Sequence, residues 1–386
     1  MTEAVSASRT LKRILMTADG VGGVWTYALE LIRALERFSV EVDVAVMGPP
    51  LTLAQHEEAQ SVPNLNLFKS DYRLEWMDDA WRDVDKAGDW LLHLERRLAP
   101  DLVHLNGFAH AVLPWKAPTV VVAHSCVCSW WKAVRGDEPD AGWQEYRRRV
   151  ERGLSAARVV VAPTASMLHE LKQHYSFRSN TRVILNGVDL PIMKGSTKEP
   201  FILSAGRIWD EAKNIAALMR VAPELEWPVY LAGEMKSPHA LNDRVSATDT
   251  CHLLGHLPSR ELKRWFDRAS IFALPARYEP FGLSALEAAL SGCALVLGDI
   301  ASLREVWGDT ALFVSSESRS ELKAALSKLI SDPELRKQMA QRAQARAKSF
   351  TASTMVAEYL RTYKELLPRR THLVARRTRE ILSCAS

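Results

Sequence analysis

The chain of 386 residues carries a formal net charge of +4 and is 47% hydrophobic and 25% charged, which predicts a soluble protein large enough for two domains. Its longest apolar runs are too short to span a bilayer and its N-terminus has no continuous apolar core, so we expect neither a transmembrane helix nor a secretory signal. The small net charge gives no argument for a nucleic-acid partner, and five cysteines, without a second pair to complete a zinc site beside Cys126 and Cys128, suit a reducing, cytoplasmic compartment.

Short apolar runs alternate with stretches of helical spacing along the first half of the chain. The first run, residues 13–17, predicts a strand, and the glycine-rich loop 19–23 leads from it into a helix predicted over residues 24–35. A dinucleotide-binding loop is a weak interpretation, because Trp25 occupies a position that needs a small residue. Later runs predict further strands, which lie at residues 40–46, 65–68, 101–105, 119–123 and 158–164.

Histidines stand at or near the carboxyl ends of two of these strands, where parallel sheets bind ligands. His124 ends the run 119–123, and His104 and His110 lie near the end of the preceding strand as weaker candidates. Taken alone, a histidine at such a position is more often structural. The aromatic residues that follow are either core or a floor for a carbohydrate, and the sequence leaves both open for Trp130, Trp131 and Trp143.

A second alternation begins after a turn at Asn186-Gly187 and a polar, proline-bounded segment, residues 191–200, that is typical of a linker. Arg207 follows its first strand and Lys213 opens the next helix, so that both can converge on one anion; the alternative is a pair of surface cations. The strands predicted in this half lie at residues 201–205, 229–233, 251–257, 271–274 and 294–297, and the chain is helical from residue 318.

A loop with two glutamates joins the strand 271–274 to a helix predicted over residues 283–290. The first amides of such a helix point outward without partners and form a site for an anion. Glu279 lies in the loop and Glu287 lies about one turn inside the helix, so both carboxylates can reach one ligand. In the alternative interpretation, Ser284 and Glu287 form a capping box that only closes the helix.

Residues 279–292, Glu-Pro-Phe-Gly-Leu-Ser-Ala-Leu-Glu-Ala-Ala-Leu-Ser-Gly, closely resemble the Glu-seven-residues-Glu signature of the retaining glycosyltransferases of family 4. The resemblance implies the GT-B fold, an α/β architecture of two doubly wound, Rossmann-like parallel-sheet domains that face each other across a cleft. It implies an N-terminal domain on the acceptor side over residues 1–190 and a C-terminal domain on the nucleotide-sugar donor side over residues 191–350. Residues 351–386 would form a helix that returns to the N-terminal domain, followed by a basic tail.

The resemblance also implies a role for each matching residue. Glu279 and His124 would contact the donor sugar, Arg207 and Lys213 would bind the diphosphate, and these four are the candidate catalytic residues. Glu287 would hold the ribose. The other donor-binding candidates belong to the glycine turn, the base-binding edge and the start of the signature helix, and they are Gly22, Gly23, Gly255, His256, Leu257, Phe281, Gly282, Leu283 and Ser284.

The implied reaction moves a sugar, with retention of configuration, from a nucleotide-diphosphate sugar to a hydroxyl of a glycan, a lipid-linked acceptor or a small molecule, as in hexosyl-type transferases. We expect no cofactor and no metal ion, because Arg207 and Lys213 would supply the positive charge, while Asp83 and Asp85 alternate on a predicted helix and do not face one ligand. A glycosidase also needs two carboxylates, but it has no use for the cations. The alternatives are a sugar-nucleotide epimerase of the same fold and a non-catalytic partner protein that only binds.

Two groups of residues remain outside this assignment. His104 and His110 are candidates for the acceptor side of the cleft. The tail after Pro368 is rich in arginine, and a solvated tail is the default expectation. The alternative for this tail is a peripheral contact with anionic lipid on the inner face of the membrane.

Overall fold

The computed structural model describes residues 10–189, 197–234 and 249–368, which form two parallel sheets. The first sheet has seven strands in the order β3-β2-β1-β4-β5-β6-β7. Its strands are β1 (Arg13–Asp19), β2 (Glu41–Met47), β3 (Leu65–Lys69), β4 (Leu102–Leu105), β5 (Thr119–Val122), β6 (Val159–Ala162) and β7 (Asn180–Val183). Every pairing in it is parallel.

The second sheet has six strands in the order β10-β9-β8-β11-β12-β13, and its pairings are parallel as well. Its strands are β8 (Glu199–Ala205), β9 (Val229–Ala232), β10 (Cys251–Gly255), β11 (Ala269–Leu274), β12 (Ala294–Gly298) and β13 (Leu312–Val314). The strand order of each sheet reverses once, between β1 and β4 in the first and between β8 and β11 in the second. Two doubly wound α/β domains are therefore present, and the predicted fold class is confirmed.

Helices cover both faces of the sheets, which explains why central strands such as β4, β5 and β6 are apolar and buried along their whole length. The helices on the first sheet are α1 (Gly23–Glu36), α2 (Leu53–Gln60), α3 (Trp81–Leu98), α4 (Val127–Arg135), α5 (Gln144–Ala156) and α6 (Ala165–His174). Those that follow are α7 (Ile215–Val221), α8 (Ser259–Arg268), α9 (Leu283–Leu290), α10 (Ala301–Trp307), α11 (Arg319–Ser331), α12 (Pro333–Ala347) and α13 (Ala352–Leu366).

The last helix, α13, packs on the first domain although the chain reaches it from the second. Its buried side chains share one apolar core with α1 and the first sheet. The chain thus crosses between the domains twice, and the two crossings touch: the amide of Val188 donates to the carbonyl of Phe350. A Cβ at Gly187 would lie 2.1 Å from the carbonyl oxygen of Thr351, so the close approach of the two crossings requires glycine there.

Polar contacts also join the domains away from the crossings. Glu305 of α10 accepts hydrogen bonds from the first amides of α6, those of Ala165 (2.7 Å) and Ser166 (2.8 Å). Thr164, the N-cap of the same helix, donates to the carbonyl oxygen of Pro280 at 2.9 Å. A carboxylate at a helix N-terminus is favourable, so these contacts hold the described domains together.

Two segments named in the sequence analysis lie wholly or largely outside the described residues. They are the linker, of which residues 191–196 are not described, and the arginine-rich tail beyond Pro368. Within the described part of the chain, no helix is both long and apolar enough to cross a membrane.

Candidate functional site

A cleft lies between the two domains at the carboxyl ends of their strands. It is lined by the segments that follow β1, β5, β8 and β11, and three of these strands flank the points where the strand order reverses. Ligands of doubly wound sheets bind outside the strand ends at such points. The topology alone therefore marks this cleft as the candidate site.

The glycine turn after β1 forms the first-domain wall of the cleft. Gly22 is the N-cap of α1 with φ 77°, a left-handed conformation that favours glycine. A Cβ on Gly22 would lie 3.4 Å from Nη1 of Arg207, and one on Gly23 would lie 3.5 Å from Leu283. The uncapped N-terminus of α1 therefore faces the second domain at close range, as an anion site between the domains requires.

Arg207, which follows β8, is oriented by a buried carboxylate. Its Nη2 lies 2.6 Å from Oδ2 of Asp210, a residue that is only 3% exposed. The other oxygen of Asp210 accepts the indole N–H of Trp130 from the first domain at 3.0 Å. Burial favours the neutral carboxyl, but the charges of Arg207 and Lys213 outweigh it and hold the pKa of Asp210 below its usual value.

Lys213 forms an ion pair with Glu279 at the cleft. Nζ of Lys213 lies 2.5 Å from Oε2 of Glu279, and their side chains are 16% and 13% exposed. The other carboxylate oxygen, Oε1, accepts the amide N–H of Gly282, the N-cap of α9, at 3.0 Å. In this structure the Glu279 carboxylate thus takes the place of an anion between a lysine and a helix N-terminus.

Glu287 lies deeper along α9 and lines the same cleft. No described residue forms a hydrogen bond with its carboxylate. Burial, followed by the negative charge of Glu30, raises the pKa of Glu287 to about 7. Helix α9 begins at Leu283 with Gly282 as its N-cap and has no side-chain capping bond. Ser284 is therefore inside the helix, and the capping-box interpretation is wrong.

His124 lines the cleft directly after β5. Its Nε2 lies 2.9 Å from Oδ1 of Asn106, and the ring of Tyr27 packs edge-on against it at 4.4 Å. Burial lowers the pKa of His124 to about 3, so the imidazole is neutral at physiological pH. Asn106 follows β4 as His124 follows β5, and its place just after a strand end is the only sequence signal that points to it.

The acceptor-side prediction for His104 and His110 is wrong. His104 is fully buried, and its ring contacts Asn106 and Tyr363 rather than the cleft. His110 donates from Nε2 to the carbonyl oxygen of Val84 at 2.9 Å. Both histidines are buried structural groups, because protein covers the end of β4 near which they lie.

Of the three residues predicted to form the base-binding edge, two line the cleft. His256 and Leu257 line the cleft, whereas Gly255 does not; Gly255 ends β10 and its carbonyl accepts the amide of Gly233 at 2.7 Å. Opposite this edge stands Glu58 of α2, which the sequence analysis did not single out. Glu58 accepts the indole N–H of Trp25 at 3.0 Å and the hydroxyl of Ser259 in the second domain at 2.5 Å. It bridges the domains at this end of the cleft.

Most of the remaining candidate residues line the cleft. Phe281, Gly282, Leu283 and Ser284 line the cleft with Glu279. Of the tryptophan cluster, Trp130 lines the cleft as well, Trp143 packs against the core, and the ring of Trp131 lies against both of them.

Asp83 and Asp85 lie on α3, where Asp85 pairs with Arg149, as expected for a solvated helix surface. Among the described residues there is no group of three or more His, Cys, Asp or Glu side chains that could hold a metal ion.

Comparison with protein families gives two consecutive matches. The model described as "Glycosyltransferase Family 4" matches residues 21–191, and the one described as "Glycosyl transferases group 1" matches residues 192–346. The chain is 26% identical to a D-inositol 3-phosphate glycosyltransferase from Paenarthrobacter aurescens, over 92% of this chain and 96% of that protein. It is 25% identical to an alpha-maltose-1-phosphate synthase from Mycolicibacterium smegmatis, over 81% of this chain and 87% of that protein.

Two solved structures share this fold. Sucrose-phosphate synthase from Thermosynechococcus elongatus superposes with a TM-score of 0.75 at 17% identity, covering 92% of this chain and 99% of that chain. Anabaena Alr3699/HepE in complex with UDP-glucose superposes with a TM-score of 0.70 at 16% identity, covering 92% of this chain and 100% of that chain. At these identities the likeness shows the shared fold.

Proposed function

The chain belongs to the family 4 glycosyltransferases, and from the cleft we propose that it transfers a hexosyl unit from a nucleotide-diphosphate sugar to an acceptor hydroxyl with retention of configuration. The observation that carries the proposal is the pair of cations at the cleft floor. Arg207 and Lys213 flank the N-terminus of α9 and face the uncapped N-terminus of α1. Two fixed cations and two helix N-termini around one cleft suit a diphosphate.

In this proposal the diphosphate displaces the Glu279 carboxylate from Lys213 and from the amide of Gly282. Among the described residues, the side chain of Glu279 forms hydrogen bonds only with Lys213 and with the amides of Gly282 and Phe281. Once displaced, its carboxylate is free to accept hydrogen bonds from hydroxyls of the donor sugar. His124 faces the same space from the first domain.

The chemistry follows from where charge develops. The bond between the anomeric carbon and the β-phosphate oxygen breaks, and the acceptor oxygen bonds to the anomeric carbon from the same face. The acceptor proton passes to the departing diphosphate. Arg207, Lys213 and the α9 amides stabilise the diphosphate most when its charge is largest, which lowers the barrier. These fixed charges are the basis for proposing transfer without a metal ion.

The nucleoside would lie at the other end of the cleft. Glu287 offers two acceptor oxygens without competing partners, which suits the two hydroxyls of a ribose. His256 and Leu257 stand beside it as the edge that meets the base. The shared fold with HepE, whose structure contains UDP-glucose, supports a nucleotide-sugar donor here.

The acceptor would carry no phosphate. The cleft-lining residues that come from the first domain are scattered between residues 20 and 186. Among those that the structure describes there is no lysine or arginine. Its polar members there include Thr52, Gln55 and Glu58. A phosphate would meet the negative charge of Glu58 without a cation to offset it, whereas a neutral sugar or polyol would find hydrogen-bond acceptors and donors.

A donor screen followed by product analysis tests the proposal. Nucleotide sugars are screened by thermal shift, and those that stabilise the protein are incubated with neutral and phosphorylated acceptors. NMR of the product should show the anomeric configuration of the donor and a preference for neutral acceptors. An inverted product would refute retention, and interconversion of the donor without any acceptor would favour an epimerase.

A further inference from the structure

A row of hydrogen bonds runs from His124 at the cleft into the interior of the first domain. Nε2 of His124 lies 2.9 Å from Oδ1 of Asn106, and Nε2 of His104 lies 3.2 Å from the same oxygen. Nδ1 of His104 then lies 2.7 Å from the hydroxyl of Tyr363 on α13. The side chain at the cleft is thereby connected to the helix that returns from the second domain.

The amide of Asn106 has one orientation in this row. Its Nδ2 donates to the carbonyl oxygen of Thr17 at 2.7 Å, and its backbone N–H donates to the hydroxyl of Thr17 at 2.9 Å. Turning the amide over would place Oδ1 against the carbonyl oxygen of Thr17, two acceptors with no proton between them. Oδ1 of Asn106 therefore faces His104 and His124, and it can only accept.

This acceptor determines where the ring protons lie. Because Oδ1 accepts from both rings, the proton of each neutral imidazole is on Nε2. For His104 the assignment is consistent with its other contacts. Nδ1 then accepts the hydroxyl proton of Tyr363, and the Tyr27 hydroxyl, 3.3 Å from Nε2, donates its own proton to Tyr359 and can only accept from the ring. Burial lowers the pKa of both histidines to about 3, so neither ring carries a second proton at physiological pH.

For His124 the same logic leaves Nδ1 as an unprotonated acceptor. Among the described residues none forms a hydrogen bond with this nitrogen, and the ring lines the cleft. Tyr27 packs edge-on against the ring and limits its rotation. A fixed acceptor at the cleft recognises a hydroxyl that donates.

We propose that Asn106 is a positioning residue for sugar transfer, which holds the proton of His124 on Nε2 and so presents Nδ1 as the acceptor for a hydroxyl of the bound sugar. The recognition step rests on the function proposed above, whereas the tautomer is a property of the free enzyme. His104 acts one step further away, because its own N–H donation to Oδ1 and its contact with Tyr363 hold the Asn106 oxygen in place.

The first test reads the tautomer without any donor. Protein labelled with ¹⁵N-histidine is compared by long-range ¹H–¹⁵N NMR in wild type, Asn106→Leu and, for assignment, His124→Gln. Wild-type His124 should show a protonated Nε2 and an unprotonated Nδ1, and Asn106→Leu should show both tautomers in exchange. Asn64→Leu is the matched control, because Asn64 is a buried asparagine that donates to two backbone carbonyls and touches no histidine.

The second test is a double-mutant cycle in steady-state kinetics, with the nucleotide sugar that supports turnover, beginning with UDP-glucose. Asn106→Leu should lower kcat roughly tenfold to a hundredfold, the usual effect of a misplaced contact. Added to His124→Ala, it should lower kcat no further, because its effect passes through that ring. Where leucine lowers the melting temperature sharply, Asn106→Ala removes the same oxygen with less bulk and replaces it in both tests.

The outcomes separate the two proposals. A proton on Nδ1 of His124 in wild type, or an unchanged tautomer in Asn106→Leu, overturns the inference whatever the enzyme transfers. Losses in kcat that multiply in the double variant also overturn it, since they would show that Asn106 acts independently of His124. If the tautomer shifts as stated but no nucleotide sugar is turned over, the positioning of His124 stands and the proposed function fails.

Discussion

Nζ of Lys213 and Oε2 of Glu279 lie 2.5 Å apart at the bottom of the interdomain cleft. The pair balances the charge at this point of the cleft. A lysine and a helix N-terminus without an anion would leave unbalanced positive charge in a partly buried place, and the glutamate supplies the balance. In the proposed function, donor binding would exchange one anion for another, and the exchange would release the carboxylate toward the sugar.

Removal of either cation should slow transfer severely. We expect Lys213→Ala and Arg207→Ala each to reduce kcat by roughly 10²–10³, about 2.7–4 kcal/mol, the magnitude for losing one donor that stabilises transition-state charge. Arg277→Ala is the control, because Arg277 lies in the same loop as Glu279 but pairs with the exposed Glu317 outside the cleft lining. Steady-state kinetics at matched folded fraction measure the effect. Near wild-type turnover in Lys213→Ala would remove the diphosphate from this position.

Transfer should proceed in the presence of a chelator. Arg207 and Lys213 already bring positive charge to the place where the diphosphate would bind, so a divalent cation is not required there. The measurement is initial rate with excess EDTA, against enzyme supplied with magnesium or manganese. Activity that disappears with the chelator and returns with either metal would contradict the prediction.

The affinity for the nucleotide should depend on the second acceptor oxygen of Glu287. A glutamine keeps one acceptor oxygen and presents an NH2 group to the second ribose hydroxyl. We therefore expect Glu287→Gln to weaken binding of the nucleoside diphosphate by ~1–3 kcal/mol, measured by calorimetric titration. The exposed Glu57 on α2 provides a control in Glu57→Gln, which should bind as wild type does. Equal affinities for wild type and Glu287→Gln would place the ribose elsewhere.

The same substitution should change how stability depends on pH. Burial raises the pKa of Glu287 from 4.5 to about 7, so between these values the folded protein holds a proton that the unfolded chain has released. Its contribution to the free energy of unfolding is therefore present below the unfolded pKa and is lost as the pH rises through the folded one.

Glu287→Gln removes this titration. Its stability relative to wild type should rise between about pH 5 and about pH 8, by on the order of 2–3 kcal/mol, a figure reduced for the water that reaches the cleft. Denaturant melts of the free enzymes at both pH values test it. A difference that stays constant with pH would show that Glu287 is ionised in the folded protein.

The sequence predicted the fold well because the signal is local and repeated. Strands such as Val159–Ala162 are continuous apolar runs, as expected when both faces of a parallel sheet are covered. The signature around Glu279 and Glu287 is also contiguous, and the structure brings it to the cleft with Arg207 and Lys213. Strand ends alone do not distinguish an open position from a covered one, which explains the error at His104.

What the sequence could not predict depends on contacts between distant segments. Asp210 orients Arg207 only because Trp130 arrives from the other domain. Asn106 meets His124 because β4 and β5 are neighbours in the sheet, and the amide orientation needs Thr17 from β1. The capping-box pattern at Ser284 was a plausible local signal, but Gly282, at φ 89°, begins the helix earlier.

The side-by-side crossings at Val188 and Phe350 limit how the cleft can open. Both connections between the domains pass through one place, and Gly187 fits against the carbonyl of Thr351 without room for a side chain. We therefore expect relative motion of the described domains to turn about this contact between the crossings. The contacts of Glu305 with α6 and of Glu58 with Ser259 lie away from the crossings and must break for the cleft to widen. Under the proposed function, these polar contacts are among those that donor entry and nucleotide release would have to break, while the crossings stay in contact.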